Sequence, residues 1–193
     1  MGIVKLLFII YGLVALVCAS LLLPSGAIQA MNSDRTLISS QSVTVEYRFM
    51  WPGMLPDHPF YKLKVLRDKL VLKLVNNPVK RMEYYLLLAD KGMYATKLLV
   101  EKGSISLAKT TALKAEHNYT LLVSEYKWMF WYEKPIPADL DGNIHISALK
   151  HQELLVRIAE GLTNQEDKNA FYQVAGFSNA NLQELTSLIS DKQ

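Results

Sequence analysis

The sequence is poor in cysteine, with Cys18 alone among 193 residues. A single cysteine excludes a disulfide framework and any metal site that needs several thiolates. An excess of charge is lacking as well, because 21 basic and 18 acidic residues leave a formal net charge of only +3. So small an excess does not favour nucleic-acid binding. We therefore expect no nucleic acid among the partners.

The common catalytic and metal-binding motifs are missing too. The sequence has no glycine-rich phosphate loop and no Gly-x-Ser-x-Gly elbow. Residues 139–145 resemble a calcium loop only weakly, because Gly142 is out of position. No histidine has the i,i+4 partner of a zinc helix, so we expect surface or internally paired histidines at His58, His117, His145 and His151. The sequence predicts no catalytic residue, no metal site, no cofactor and no enzyme.

One long apolar run stands near the N-terminus, in a chain whose residues are half apolar. Residues 6–23 carry no charge, Lys5 precedes them and Pro24 interrupts the run. This pattern is typical of an export signal. The run also reaches the lower length limit for spanning a bilayer of about 30 Å. Residues 1–30 are predicted to be a cleaved signal peptide or a retained membrane anchor, and either would place the remainder outside the cytoplasm.

The next stretch, residues 31–50, begins as a polar, serine-rich tether. Apolar and polar residues then alternate from Val43 to Phe49, which predicts a short strand. No second strand of similar quality follows. The segment is therefore expected either to lie extended against helices or to add to the sheet edge of a partner.

Residues 51–193 are predicted to form helices. Asp57 is expected to cap a first helix beginning at His58 or Pro59, with an apolar stripe at Leu63, Leu66, Leu70 and Leu74. Asn77 and Pro78 open a second helix, and Gly103 ends it. Further starts are predicted at Ser104, Ser147, Thr163 and Ser178. The fold class is all-α, an antiparallel bundle of about five or six helices.

The third helix carries a heptad seam with steps of four and three residues. Its members are Ala108, Ala112, Ala115, Tyr119, Leu122, Tyr126 and Met129. The seam begins with small residues, so a neighbouring helix should approach closely at its alanine end. The seam also predicts self-association.

The early motif resembles an exported bacterial family known as domain of unknown function 5667, over roughly residues 47–160. The matching positions are Pro52, Gly53, Leu55, Pro56, Asp57, Pro59, Tyr61, Lys64, Arg67, Asp68, Ala89 and Asp90. Gly92 departs from the family, which often has a basic residue there. The resemblance implies an extracytoplasmic helical domain behind a signal or anchor, and it implies no activity.

Two clusters of side chains are candidates for contact with a partner. The first helix is basic, and an anionic membrane or wall polymer would suit Lys62, Lys64, Arg67, Lys69 and Lys73. A solvated helix face is the alternative, and Arg67 and Asp68 are also predicted to pair with Asp90 or Glu83 of the second helix. The aromatic cluster predicts either an interaction surface or core at one end of the bundle, with Trp51, Tyr61, Trp128, Phe130 and Trp131.

Together these patterns predict an exported or membrane-tethered, non-catalytic interaction module of the bacterial cell envelope. Its partner would be an envelope protein or an anionic membrane or wall surface. The alternative is an extracytoplasmic ligand-sensing or envelope-stress regulatory domain.

Overall fold

The structure is a computed structural model, and it describes residues 45–190. The predicted signal or anchor (residues 1–30) and residues 31–44 of the tether lie outside the described residues. Within 45–190 no strand is present. Five helices follow one another, α1 Tyr61–Leu74, α2 Pro78–Glu101, α3 Ile105–Trp131, α4 Ala138–Gly161 and α5 Gln165–Ser190. The prediction of an all-α helical bundle is confirmed.

The boundaries of α2 follow the local sequence signals. Asn77 caps the helix by accepting a hydrogen bond from the backbone N–H of Lys80 at 3.2 Å, and Pro78 suits the first helical position, where no N–H is needed. Gly103 follows the helix with a φ of +75°, a conformation that glycine adopts without strain. These signals give the second helix the limits that the sequence predicts.

The predicted heptad seam of α3 lies in the core. All seven of its side chains are buried between α3 and the other helices of the bundle. The C-terminal part of the seam, around Tyr119 and Leu122, packs in one apolar cluster. The alanine end packs in a second cluster with Met93 and Leu155. Self-association through the seam stays a prediction, and it would require these packed side chains to be freed.

Helices α2 and α3 approach each other closely at Gly92. A Cβ atom placed on Gly92 would lie only 2.9 Å from the Cβ of Ala115. Because Ala115 has no side-chain freedom with which to move aside, the two backbones can meet here only if residue 92 is glycine. The close contact at the alanine end of the seam is therefore confirmed, and it gives a physical reason for Gly92.

We expect Gly92→Ala to lower the free energy of unfolding by about 1 kcal/mol or more, since the added methyl would force α2 and α3 apart. Gly176→Ala is the matched control, because Gly176 is also helical and has no atom within 4 Å of an added Cβ. The control should stabilise by roughly 0.5–1 kcal/mol through helix propensity. Urea denaturation measures the free energy of unfolding of both variants. If both substitutions change this free energy in the same direction, the close contact at Gly92 is not the cause.

The predicted starts of the first and fourth helices are wrong. The first helix begins at Tyr61 without a side-chain cap, because Asp57 pairs with Lys102 at 2.8 Å instead. The fourth helix begins at Ala138 rather than Ser147, so the predicted loop of residues 139–143 is helical. Buried Leu140 and Ile144, four residues apart, hold this added turn against the core.

The last two predicted helices form one continuous helix, α5. Asn164 rather than Thr163 caps it, since its Oδ1 accepts from the N–H of Asp167 at 3.0 Å. Ser178 is buried in the middle of the helix and starts nothing. The bundle therefore has five helices in its described part.

The predicted strand is wrong for residues 45–49, where the backbone forms no strand and Tyr47 N–H donates locally to the carbonyl of Val45 at 3.0 Å. Residues 45–50 lie against the helices, as in the first of the two predicted arrangements. Val45, Tyr47 and Phe49 are partly buried, and the residues between them are exposed. The backbone N–H of Val45 donates to Glu153 at 2.9 Å, and Lys150 donates to the carbonyl of Val45 at 2.9 Å. These contacts with α4 supply some of the hydrogen bonds that a strand would obtain from a sheet.

Candidate functional site

The outer face of α1 carries an apolar stripe that is exposed, although the sequence pattern suggests a core-facing one. The exposed fractions of its four leucines lie between 52% and 79%, at Leu63, Leu66, Leu70 and Leu74. At 3.6 residues per turn these leucines fall within about 80° of one another. On the same helical projection Lys62, Lys69 and Lys73 border the stripe on one side and Arg67 borders it on the other. We call this surface, with its four leucines and four cations, the α1 outer face.

A polar residue determines which side of α1 faces the bundle. Asp68 is the buried residue of this helix. Its Oδ1 accepts from Arg67 at 2.7 Å and from the hydroxyl of Tyr84 on α2 at 3.1 Å. The predicted link from this motif to α2 therefore exists, but it runs through Tyr84 and not through Asp90 or Glu83. Turning Asp68 inward leaves the leucines on the opposite side of the helix.

The turn before α1 packs on α2. Pro52 is buried, Gly53 has a φ of +68°, and the ring of exposed Trp51 meets Tyr94 edge-on at 5.5 Å between centroids. Lys64 holds this turn, because its Nζ donates to the carbonyl oxygens of Pro52 at 2.7 Å and Met54 at 3.2 Å. Lys64 thus points inward and is separated from the four cations of the α1 outer face.

The remaining motif positions lie along the same turn and the start of α1. Pro56 is half-buried, Pro59 is exposed, and Tyr61 is half-buried. The Nζ of Lys64 lies 5.5 Å from the centroid of the Tyr61 ring, a distance suited to a cation–π contact. Tyr61 therefore supports the turn from the helix side.

The aromatic end of α3 is a separate patch. Trp128 and Trp131 are exposed, whereas Phe130 packs on the core from a partly buried position. Arg81 pairs with Glu125 at 2.9 Å, so this end of α3 lies beside the start of α2. Trp51 contacts Tyr94, thirteen residues further along α2, which corresponds to about 20 Å of helix. The two aromatic groups that the sequence suggested as one surface are therefore not brought together.

A buried ionic cluster joins α2, α3 and α4. The Nδ1 of His151 lies 2.8 Å from Glu116, and its Nε2 lies 3.2 Å from Asp90. All three side chains are buried. Burial opposes the charged ring, but the charges and hydrogen bonds of Glu116 and Asp90 outweigh it and raise the pKa of His151 to about 9. The histidine is therefore an imidazolium at neutral pH.

Neutral groups complete the hydrogen bonding of this cluster. Ser147 donates to Asp90 at 2.6 Å, and Asn181 of α5 donates to Glu116 at 3.2 Å. The hydroxyl of Tyr47, from the extended segment, donates to Asp90 at 2.5 Å. Burial, followed by the charge of Asp90, raises the pKa of Tyr47 well above its usual range, so that this donor keeps its proton. The cluster thus connects α2, α3, α4, α5 and the segment of residues 45–50 around one cation.

Sequence reasoning missed this cluster, although a signal for it exists. His151 lies three or four residues from Ser147, Ala148, Leu154 and Leu155, so it falls on the buried face of α4. Glu116 directly follows the seam residue Ala115. A polar residue on a core face needs a partner, and that requirement would have matched His151 with the carboxylates.

The geometry of the cluster favours a structural role. Both ring nitrogens of His151 are held by carboxylates, and the cluster is closed to solvent. Among residues 45–190 no group of three or more His, Cys, Asp and Glu side chains is arranged to hold a metal ion. In the same range no helix is both long enough and apolar enough to cross a bilayer.

Comparison with known proteins identifies one match. A family model described as Domain of unknown function (DUF5667) matches residues 53–188. The matched range contains all five helices except the last residues of α5. No curated protein and no solved structure matches the chain.

Proposed function

The chain belongs to the family described as domain of unknown function 5667, and we propose that it is a non-catalytic contact module of the cell envelope that rests on an anionic membrane surface through the α1 outer face. The observation that carries this proposal is the exposed leucine stripe of α1 between its flanking cations. A helix with an apolar face bordered by lysine and arginine is suited to the interface of an anionic bilayer. The leucines would enter the acyl boundary, and the cations would meet the lipid phosphates.

The surroundings of the stripe support a membrane rather than a protein as the partner. Phe60, Trp51 and Met50 are exposed near the start of α1, and aromatic side chains are favoured at the membrane interface. None of Lys62, Lys69 and Lys73 is engaged in an ion pair within residues 45–190. Their charges are therefore available to lipid phosphates, each contributing about 1 kcal/mol near an anionic surface.

The number of residues between the apolar run and residue 45 permits this contact. Residues 24–44 lie between the apolar run and the described part of the chain, and they number 21. A fully extended chain of this length spans up to about 70 Å. If residues 6–23 anchor the protein, α1 can reach the same membrane. Attachment at two points would raise the local concentration of the α1 outer face at the bilayer.

Co-sedimentation with lipid vesicles tests the proposal, using the chain from residue 31 onward so that the apolar run does not itself insert. We expect binding to vesicles of phosphatidylglycerol mixed with phosphatidylcholine and little binding to phosphatidylcholine alone. Replacing two leucines, Leu66→Ser with Leu70→Ser, should weaken binding by at least about 100-fold, because each buried leucine contributes roughly 1.5–3 kcal/mol.

Leucines exposed on other helices supply the matched control. Leu113 and Leu149 are exposed on α3 and α4, so Leu113→Ser with Leu149→Ser should bind vesicles like the unchanged chain. Equal binding by both double variants would contradict the proposal. A leucine-dependent dimer in the absence of lipid, detected by light scattering, would instead assign the α1 outer face to a second copy of the chain.

A further inference from the structure

A cleft of about 450 Å³ lies between the inner side of α1 and helices α2 and α3. Its size falls within the range of small-molecule sites. The lining is divided by chemistry. One group of lining residues is apolar and includes Val65, Leu72, Leu88 and Ala95. The other group is cationic and consists of Lys64, Lys69, Lys91 and Lys114.

The cationic side chains that line this cleft outnumber the acidic ones. Asp68 is the acidic residue of the lining, and it is already engaged with Arg67 at 2.7 Å and Tyr84 at 3.1 Å. In residues 45–190 no ion pair involves Lys69, Lys91 or Lys114. Several cations facing one partly enclosed space repel one another, and a bound anion would relieve that repulsion.

The pKa of Lys64 reflects its burial and charges of both signs. Burial lowers the pKa of Lys64, and the positive charges of Lys91 and Arg67 lower it further, while Asp68 acts in the opposite direction. Lys64 extends from α1 and Lys91 from α2, so both walls contribute to the same positive potential. A lining that combines several cations with apolar side chains is complementary to a ligand with one anionic group and one apolar part.

We propose that this cleft binds a phosphate monoester that carries an apolar substituent. Several lysines around one space favour a doubly charged group such as a phosphate over a single carboxylate, because the Coulomb attraction grows with the charge of the ligand. The apolar substituent would lie on Val65, Leu72, Leu88 and Ala95. Lys69 belongs to both surfaces, but none of the four leucines of the α1 outer face lines the cleft, so the proposal does not depend on the membrane contact.

Calorimetric titration of the full chain in a nonionic detergent tests the site with hexyl phosphate, inorganic phosphate and hexanol as probes. Hexyl phosphate should bind at least ten times more tightly than either of the other two probes, since only hexyl phosphate carries both an anionic group for the lysines and an apolar chain for the apolar side chains. Equal affinities for hexyl phosphate and inorganic phosphate would overturn the apolar half of the proposal. Equal affinities for hexyl phosphate and hexanol would overturn the anionic half.

Variants assign the binding to the cleft. Lys91→Gln with Lys114→Gln should weaken hexyl phosphate binding at least tenfold, whereas Lys134→Gln, at an exposed lysine beyond the end of α3, should not change it. An equal loss in both would overturn the proposal. The Leu66→Ser, Leu70→Ser chain should keep full affinity, which separates this site from the membrane contact.

The source of the phosphate is decided by a further pair of probes. Dihexanoyl phosphatidic acid carries the same group on a lipid, and glycerol 3-phosphate carries it on a soluble molecule. Tighter binding of the first would assign the site to a lipid headgroup, and tighter binding of the second to a free phosphate ester. If neither of these two probes binds and hexyl phosphate does not bind either, the proposal is overturned.

Discussion

Replacing His151 by glutamine is expected to lower the free energy of unfolding by about 3–5 kcal/mol at pH 7. The imidazolium is the cation that both Glu116 and Asp90 contact, at 2.8 and 3.2 Å. A neutral side chain at position 151 would leave two buried carboxylates without a counter-charge. Such uncompensated charge in a low-dielectric interior is among the largest penalties that a single substitution imposes. Urea denaturation gives the free energies directly.

A triple variant separates lost charge from lost packing. Asp90→Asn, Glu116→Gln and His151→Gln together remove every charge from the cluster while keeping side chains of similar volume. If uncompensated charge is the cause, the triple variant should be more stable than His151→Gln alone. His117→Gln is the control for the chemical change, because His117 is exposed, and it should stay within about 0.5 kcal/mol of the unchanged chain. A triple variant less stable than the single one would contradict this account.

The parts of the fold that the sequence predicts well are those governed by local signals. The ends of α2 are marked by Asn77 with Pro78 at its start and by Gly103 after its end. Capping and the backbone conformations of proline and glycine are local properties that do not depend on the rest of the chain. The seam of α3 was predictable because seven apolar side chains repeat along one long helix. The family was predictable for a similar reason, since most of its matching positions lie between Pro52 and Asp68, and the family model covers residues 53–188.

The parts that the sequence does not predict depend on tertiary contacts. The leucines of α1 have the spacing of a core stripe, yet Asp68 and its contact with Tyr84 turn the helix the other way. Residues 139–143 have the composition of a loop, and only the burial of Leu140 and Ile144 reveals a helix. The ionic cluster joins residues 35 and 61 positions apart, and no local pattern carries information over such separations.

The same distinction applies to the candidate surfaces. The basic character of the first helix was evident in the sequence, but the side that each cation occupies was not. Lys64 binds the backbone of the preceding turn, whereas Lys62, Lys69 and Lys73 border the exposed leucines. Orientation therefore separates one basic helix into two surfaces, an outer one suited to a membrane and an inner one that lines a cleft. Both assignments require the packing of α1 on α2.

The unchanged chain is also expected to lose about 3 kcal/mol of stability between pH 6.5 and pH 9.5. Folding raises the pKa of His151 from an unfolded value of 6.5 to about 9. A group whose pKa rises on folding contributes stability that is fully present below the unfolded pKa and is lost as the pH rises through the folded pKa. A shift of this size corresponds to roughly 3 kcal/mol. Above pH 9 the neutral ring would leave Asp90 and Glu116 without a cation, and the bundle should loosen around Tyr47 and Asn181.

The neighbouring groups should not obscure this profile. Asp90 and Glu116 are the carboxylates that face the ring, and Tyr47 and Tyr119 are the phenols around the cluster. Burial raises the pKa of both tyrosines, so their ionisation falls above the window. Urea denaturation across the pH range should show the decline in the unchanged chain and a flatter profile in the triple neutral variant. If both chains decline alike, the histidine is not the group responsible, and the imidazolium assignment is wrong.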